Sequence, residues 1–127
     1  AESLAVMPYS PLGGGLLTGK YKGGAKADGR ITSNTMYAKR YSDDWMKDVA
    51  ADFADFAAAR GFNPVSLAVA WVAAHPAITC PIIGARNVDQ LKPSLDAVDV
   101  AMTPELSQEI SALSRTPPPA TDRSENG

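Results

Sequence analysis

The sequence has few of the residues that build common metal and disulfide sites, with a single cysteine, Cys80, and a single histidine, His75. One cysteine excludes an internal disulfide framework and a multi-cysteine metal site, and one histidine leaves too few ligands for an ordinary structural zinc. No apolar run approaches the ~18 residues of a membrane span, and no signal-peptide pattern is present. We therefore expect a cytoplasmic protein with no membrane contact and no bound metal.

A net basic charge is also lacking. Twelve Lys and Arg residues against 14 Asp and Glu residues give a net charge of -2, which argues against a nucleic-acid binder. The charge is uneven, because residues 20–40 contain six basic residues and one acid, a net +5 against -7 elsewhere. Such a segment is typical of a site for an anion such as pyrophosphate. Taken alone, the uneven charge favours a solvated loop slightly over an anion site.

Two short apolar runs without alternation, residues 4–9 and 78–83, predict strands buried on both faces, as in a parallel sheet. Residues 16–42 show no sustained periodicity and predict a long loop. Two strands do not make a self-sufficient sheet. We therefore expect the chain to be part of a larger α/β unit whose other strands precede Ala1.

Capping residues predict where the helices begin and end. Ser42 is the expected N-cap of the first helix and Gly61 its C′ residue. Asn63 followed by Pro64 restarts a helix that is apolar on nearly all sides and should be buried. Asn87 is the expected cap of the third helix. The predicted helices cover about residues 43–60, 64–74, 88–98 and 104–113.

The two segments that carry chemical information, residues 9–21 and 81–91, each follow a predicted strand. In α/β folds, ligands bind where strands end in this way. Glycines let a backbone approach a phosphate closely, and Arg86 at a helix start is suited to a phosphate. One alternative is a magnesium-dependent nucleotide-binding P-loop at Gly14-x-x-x-x-Gly19-Lys20. It is disfavoured because Tyr21 stands where that motif needs a hydroxyl of serine or threonine.

Together the motifs Tyr-Ser-Pro-Leu…Gly-Leu-Leu-Thr-Gly-Lys-Tyr and Pro-Ile-Ile-Gly-Ala-Arg-Asn…Gln-Leu resemble the C-terminal part of the aldo-keto reductases. The resemblance is strongest to bacterial members and to potassium-channel β-subunits. It implies an α/β fold, the C-terminal portion of a (β/α)8 TIM barrel with strands seven and eight and their helices. Residues 1–115 would form this part, and residues 116–127 a Pro-rich polar tail.

The resemblance also implies an NADP site. Tyr9 would stack on the nicotinamide, and Arg86 would face the 2′-phosphate. Lys20 and Arg30 match positions in a loop that folds over the cofactor, and Gly84 and Gln90 match positions around the adenosine. The residues expected at the pyrophosphate are Ser10, Pro11, Leu12, Gly13 and Gly14. Ser94 stands where members of the family often place an adenine-contacting Asn, and Pro93 stands where they often place a Glu.

The implied function is that of the C-terminal segment of an NADP-dependent aldo-keto reductase, which transfers hydride between the cofactor and a small-molecule carbonyl substrate. The family's catalytic Asp, Tyr, Lys and His would precede Ala1, so this chain carries no catalytic residue, and the fragment alone is expected to be inactive. The alternative is an NADPH-binding regulatory subunit resembling channel β-subunits. The sequence leaves the substrate and the oligomeric state open.

Overall fold

The computed structural model describes residues 3–22 and 29–116, which are mainly helical with two short extended segments. The expected tail, residues 116–127, lies outside the described residues from residue 117 onward. The helices, numbered in chain order, are α1 (Arg30–Ser33), α2 (Thr35–Arg40), α3 (Asp44–Ala59), α4 (Pro64–Ala73), α5 (Val88–Leu95) and α6 (Pro104–Ser111), with 3₁₀ helices at Gly13–Thr18 and Asp96–Asp99.

The expected barrel strands seven and eight are absent from the described residues, so the prediction of an α/β barrel portion is wrong for them. Residues 4–9 and 78–83 lie side by side in parallel, but they form only one isolated bridge, between Tyr9 and Ile82. Thr79 N donates to the Val6 carbonyl at 2.9 Å, and Ile82 N donates to the Pro8 carbonyl at 2.8 Å. These contacts hold two extended segments together without making a sheet.

Two features explain why these segments stop short of strands. Pro8 and Pro81 have no N–H, so each removes a donor from the ladder. Several apolar side chains are also not packed, since Leu4 is 76% exposed and Met7 56% exposed, although Ile83 packs against the core. The apolar runs predicted burial on both faces, but the described residues supply no layer that covers them.

The connection between α3 and α4 is fixed by local signals. Gly61 has a left-handed φ of 73°, Gly61 N donates to the Ala58 carbonyl at 3.1 Å, and Phe62 N donates to the Ala57 carbonyl at 2.9 Å. This is a Schellman motif, so the predicted C′ role of Gly61 is confirmed. The Asn63 side chain accepts from Val65 N at 2.9 Å, which confirms the predicted N-cap.

Helix α4 is the centre of the core. Leu67 has no exposed surface, and Ala68, Val69 and Ala70 are also buried, as its apolar sequence predicts. One cluster joins α4 to Phe53 of α3 and to α6, and a second joins α4 to the 3₁₀ helix Asp96–Asp99. Leu12 packs against both clusters, so the segment after the first extended run is tied to the whole core.

Helix α3 begins one residue later than predicted. Its N-cap is Asp43, whereas the Ser42 hydroxyl donates to the Lys39 carbonyl at 2.9 Å. The buried face of α3 consists of Ala50, Phe53 and Ala57, while Trp45 remains 38% exposed. Two of these three buried residues are alanines, which a search for large apolar residues does not reveal.

The prediction of one long loop over residues 16–42 is also wrong. A 3₁₀ helix reaches Thr18, and α1 and α2 follow within the described part of that range. Asn34 starts α2, because its side-chain oxygen accepts from Met36 N at 3.0 Å and from Tyr37 N at 3.4 Å.

The later helices begin at residues 88 and 104, as predicted, and each start is capped by a side chain. The Asn87 side chain accepts from Gln90 N at 2.9 Å, and the Thr103 hydroxyl accepts from Leu106 N at 3.1 Å. The α5 helix is shorter than expected and changes to 3₁₀ geometry after Leu95. Among the helices that the structure describes, none has both the length and the apolar composition needed to span a bilayer.

We expect Gly61→Ala to destabilise the fold by about 1–2 kcal/mol, the usual cost of a side chain in the left-handed region. A Cβ at Gly61 meets nothing within 4 Å, so the cost comes from the backbone alone. Gly84 is equally open but has no positive φ, so Gly84→Ala should change stability by less than about 0.5 kcal/mol. Urea midpoints of both variants decide the matter, and equal losses would exclude the backbone explanation.

Candidate functional site

The two segments that the sequence singled out lie next to each other. They meet because the extended runs before them are parallel and joined at Tyr9 and Ile82. The residues that follow the two runs therefore lie at the same end of the pair. The first continues into the 3₁₀ helix Gly13–Thr18, and the second continues through Arg86 into α5. Residues more than 70 positions apart in the sequence are therefore brought to one place.

Between these segments lies a cavity of about 620 Å³, within the range of roughly 300–1,000 Å³ that is usual for small-molecule and cofactor sites. Eleven of the twelve residues predicted to bind the cofactor line it, namely Tyr9, Ser10, Pro11, Leu12, Gly14, Lys20, Arg30, Gly84, Arg86, Gln90 and Ser94. Gly13 is not among the lining residues. The structure thus brings the predicted set together, while the role of each residue stays a prediction.

The charged residues that line the cavity are all basic. They are Lys20, Arg30 and Arg86, and no Asp or Glu is among the described lining residues. Lys20 comes from the first segment, Arg30 starts α1, and Arg86 precedes α5, so three separate stretches of the chain supply the positive charge. Such an arrangement attracts an anionic ligand.

Other basic residues are neutralised by neighbouring carboxylates. Lys22 pairs with Asp55 and Arg60 with Glu109. Lys47 pairs with Asp44 at 2.9 Å. On α5, Lys92 Nζ donates to the Asp96 carboxylate at 2.8 Å.

The hydrogen bond to Asp96, together with its negative charge, raises the pKa of Lys92. In contrast, no described carboxylate forms an ion pair with Arg30 or Arg86. Two guanidinium groups without an ion-pair partner among the described residues therefore line the cavity.

The backbone of the first segment is shaped by left-handed residues. Gly13, Gly14 and Gly15 have φ values of 56°, 66° and 98°, which glycine adopts at little cost. Ser10 has a φ of 58°, a strained value for a residue with a side chain, of the kind that clusters at binding sites. The Ser10 carbonyl accepts from Gly13 N at 2.9 Å, which closes the turn.

The start of α5 is held by its own side chains. Asn87 caps Gln90 N, and the Gln90 side-chain oxygen accepts from Arg86 N at 3.2 Å. These bonds fix the backbone on either side of Asn87 and leave the Arg86 guanidinium without an ion-pair partner in the described chain. The Asn87 cap occupies Gln90 N, one of the backbone N–H groups at this helix start that an anion could otherwise use.

Gly29 and Tyr37 are among the lining residues that the sequence did not predict. Gly29 is buried and lies so close to Lys20 and Tyr21 that a Cβ there would overlap both side chains. Tyr37 was hidden in the segment predicted to be loop. The signal that would have found it is Asn34, a helix-capping residue three positions before Tyr37.

Tyr37 and Tyr41 pack against Gly14. A Cβ at Gly14 would lie 2.8 Å from Tyr37 Cδ1 and 3.0 Å from Tyr41 Cε2. The two tyrosine rings are stacked on each other, with centroids 6.4 Å apart and planes 28° apart. The glycine loop and α2 therefore form one wall of the cavity.

We expect Gly14→Ala to displace both tyrosines and loosen α2, because the added methyl group overlaps their rings. Gly13→Ala is the matched control, since Gly13 has a similar φ of 56° but a Cβ there lies 3.7 Å from its nearest neighbour, Tyr41 Cε1. Hydrogen exchange of the α2 amides should accelerate in the first variant only. Equal acceleration in both would mean that backbone strain, and not ring contact, holds α2.

Comparison with known proteins agrees with the sequence motifs. The model of the aldo/keto reductase family matches residues 1–115. Protein Tas of Escherichia coli is 33% identical over 114 residues, covering 88% of this chain and 32% of Tas. The uncharacterized oxidoreductase YrpG of Bacillus subtilis is 35% identical over 104 residues, covering 81% of this chain and 30% of YrpG. A probable voltage-gated potassium channel subunit beta of Oryza sativa subsp. japonica is 32% identical over 125 residues, covering 94% and 38%.

The chain spans about a third of the length of these relatives. The family match covers both segments that line the cavity and all six helices, so the similarity extends through the whole described site. The chain belongs to the aldo/keto reductase family.

Proposed function

We propose that the cavity binds NADP(H) and that the protein carrying this chain is an NADP-dependent reductase of small-molecule carbonyl compounds. The observation that carries the proposal is the set of three cations, Lys20, Arg30 and Arg86, around one cavity with no carboxylate among its described lining residues. Family membership adds to it, because aldo-keto reductases generally use nicotinamide cofactors.

The residues of the wall fit a phosphorylated dinucleotide. Its phosphates require several positive charges, and a backbone that they approach closely is best built from glycine. The glycine-rich turn and Lys20 lie together, since a Cβ on Gly15 would be 3.5 Å from Lys20 Nζ. Apolar surface for the flat rings of a dinucleotide is available from Val65, Ile83 and Pro93.

We assign the roles along the cavity from the family resemblance and these positions. The Tyr9 ring, 69% exposed beside the cavity, orients the nicotinamide by stacking. Residues 10–14 follow the pyrophosphate, with Lys20 and Arg30 as its counter-charges. Arg86 binds the 2′-phosphate, and Gly84, Gln90 and Ser94 surround the adenosine.

When bound, NADPH supplies the hydride that reduces a carbonyl carbon. This chain contributes binding and orientation, because its cations fix the phosphates and Tyr9 presents one face of an aromatic ring. We assign no residue of this chain as the proton donor. Accordingly, the 127-residue chain alone should bind the cofactor without reducing aldehydes.

Arg86→Ala should weaken NADPH binding by about ten- to a hundredfold while leaving NADH nearly unchanged. The reason is that the two cofactors differ by the 2′-phosphate, and hydrogen bonds to charged groups contribute roughly 1.5–3 kcal/mol. Fluorescence titration of the protein that carries this chain, with both cofactors, measures the effect. An equal loss for NADPH and NADH would remove Arg86 from the 2′-phosphate.

Two further variants serve as controls. Lys92→Ala removes one positive charge from α5, but Lys92 is paired with Asp96 and does not line the cavity, so neither affinity should change appreciably. Lys20→Ala should weaken both cofactors, because the pyrophosphate is common to them. Together they separate a contact with the 2′-phosphate from a general change in charge.

A second candidate function follows from the names of several relatives, since proteins of Oryza sativa and Arabidopsis thaliana are called probable voltage-gated potassium channel subunits beta. A regulatory subunit of this kind would bind NADPH and act mainly through a partner. Turnover of a generic aldehyde by the protein that carries this chain separates the two. We expect NADPH-dependent turnover, whereas tight binding without turnover would favour the regulatory function.

A further inference from the structure

Two guanidinium groups lie over one tyrosine ring beside the cavity. Arg30 Cζ is 5.8 Å and Arg40 Cζ is 5.6 Å from the centroid of the Tyr37 ring. Both distances are within the range of a cation–π interaction. Arg30 and Tyr37 line the cavity, whereas Arg40, the last residue of α2, does not.

Neither guanidinium is neutralised by a described carboxylate, because the ion pairs between the described residues involve other cations. Two like charges near one ring repel each other, and the negative face of the ring offsets only part of that repulsion. An anion bound in the cavity beside Arg30 would offset the remaining repulsion between the two guanidinium groups. The arrangement is therefore suited to a phosphorylated ligand.

The tyrosine ring is itself held in place. Gly14 packs against its edge, Tyr41 stacks on it, and Tyr37 N donates to the Asn34 side chain at 3.4 Å. The position of the ring is thus set by the glycine loop and by the cap of α2. A guanidinium stacked on a fixed ring has fewer conformations to lose when it binds a phosphate.

We propose that Tyr37 and Arg40 are positioning residues that hold the Arg30 guanidinium ready for the phosphates of the ligand. Neither residue was expected from the sequence to take part in binding. Their action on an anion requires only Arg30 and the cavity, while their relevance to NADPH rests on the proposed function.

The first test uses inorganic pyrophosphate and calorimetry on the protein that carries this chain. Tyr37→Leu removes the ring and should weaken binding by about two- to fivefold, the size expected for a cation–π contact at an exposed site. Tyr37→Phe keeps the ring and should retain most of the affinity. If the Phe variant loses as much as the Leu variant, the hydroxyl is responsible and the proposal is wrong.

The second test separates ring contact from charge. Arg40→Gln and Lys39→Gln each remove one positive charge from neighbouring positions of α2, but only Arg40 lies over the Tyr37 ring. We expect the Arg40 variant to weaken pyrophosphate binding by about twofold or more relative to the Lys39 variant. Equal losses of affinity would mean that binding depends only on net charge, and would overturn the role of Arg40.

A double-mutant cycle tests whether Tyr37 acts through Arg30. In the Arg30→Ala background, Tyr37→Leu should have no further effect on pyrophosphate affinity, because the group it positions is gone. A general structural defect would instead add its full loss in both backgrounds. Additive effects would therefore exclude a positioning role.

Titration of the same variants with NADPH distinguishes this inference from the proposed function. If NADPH binds no tighter than pyrophosphate while the Tyr37 and Arg40 effects hold, the proposed cofactor fails and the positioning role stands. If NADPH binds tightly and these substitutions leave both ligands unaffected, the positioning role alone fails. Absence of pyrophosphate binding to the unmodified protein would overturn the inference as well.

Discussion

The candidate site depends on the parallel contact between residues 4–9 and 78–83. Two backbone hydrogen bonds, from Thr79 N and Ile82 N, and one from Val6 N to the Thr79 hydroxyl at 3.0 Å, hold these segments side by side. Because both run in the same direction, the residues that follow them emerge at one end and enclose the cavity. Leu12 and Ile83, which pack against the same core cluster, keep the two segments together beyond this contact.

Where structure is decided by a few adjacent residues, the sequence predicts it well. Gly61, Asn63 and Pro64 determine one helix end and the next helix start through hydrogen bonds within a few positions. The prediction of two strands was wrong because a strand is stabilised by neighbours that are distant in the sequence. The predicted N-cap role of Ser42 was wrong for a different reason. Its hydroxyl donates to the Lys39 carbonyl at the end of α2, a helix that the sequence did not predict.

Most residues that the motifs singled out lie together around one cavity, whereas the strands expected before them are absent from the described residues. The motifs could be recognised from residue types and their order alone, without any knowledge of strands, and the binding role of each residue stays a prediction. The sequence did not predict Tyr37 and Gly29 as residues of the site because their importance comes from packing. Tyr37 matters through the absence of a side chain at Gly14, and Gly29 through its closeness to Lys20 and Tyr21, and neither relation is visible in a single sequence.

Leu12 belongs to two parts of the molecule at once, since it lines the cavity and packs against both core clusters. Ligand affinity and folding are thereby linked thermodynamically. A ligand that binds only the folded chain stabilises α4 and its neighbours by an amount that grows with the ratio of ligand concentration to Kd. Conversely, loosening of the core lowers the fraction of molecules in which the cavity is formed. Occupancy of the site and folding of the helical core therefore increase or decrease together.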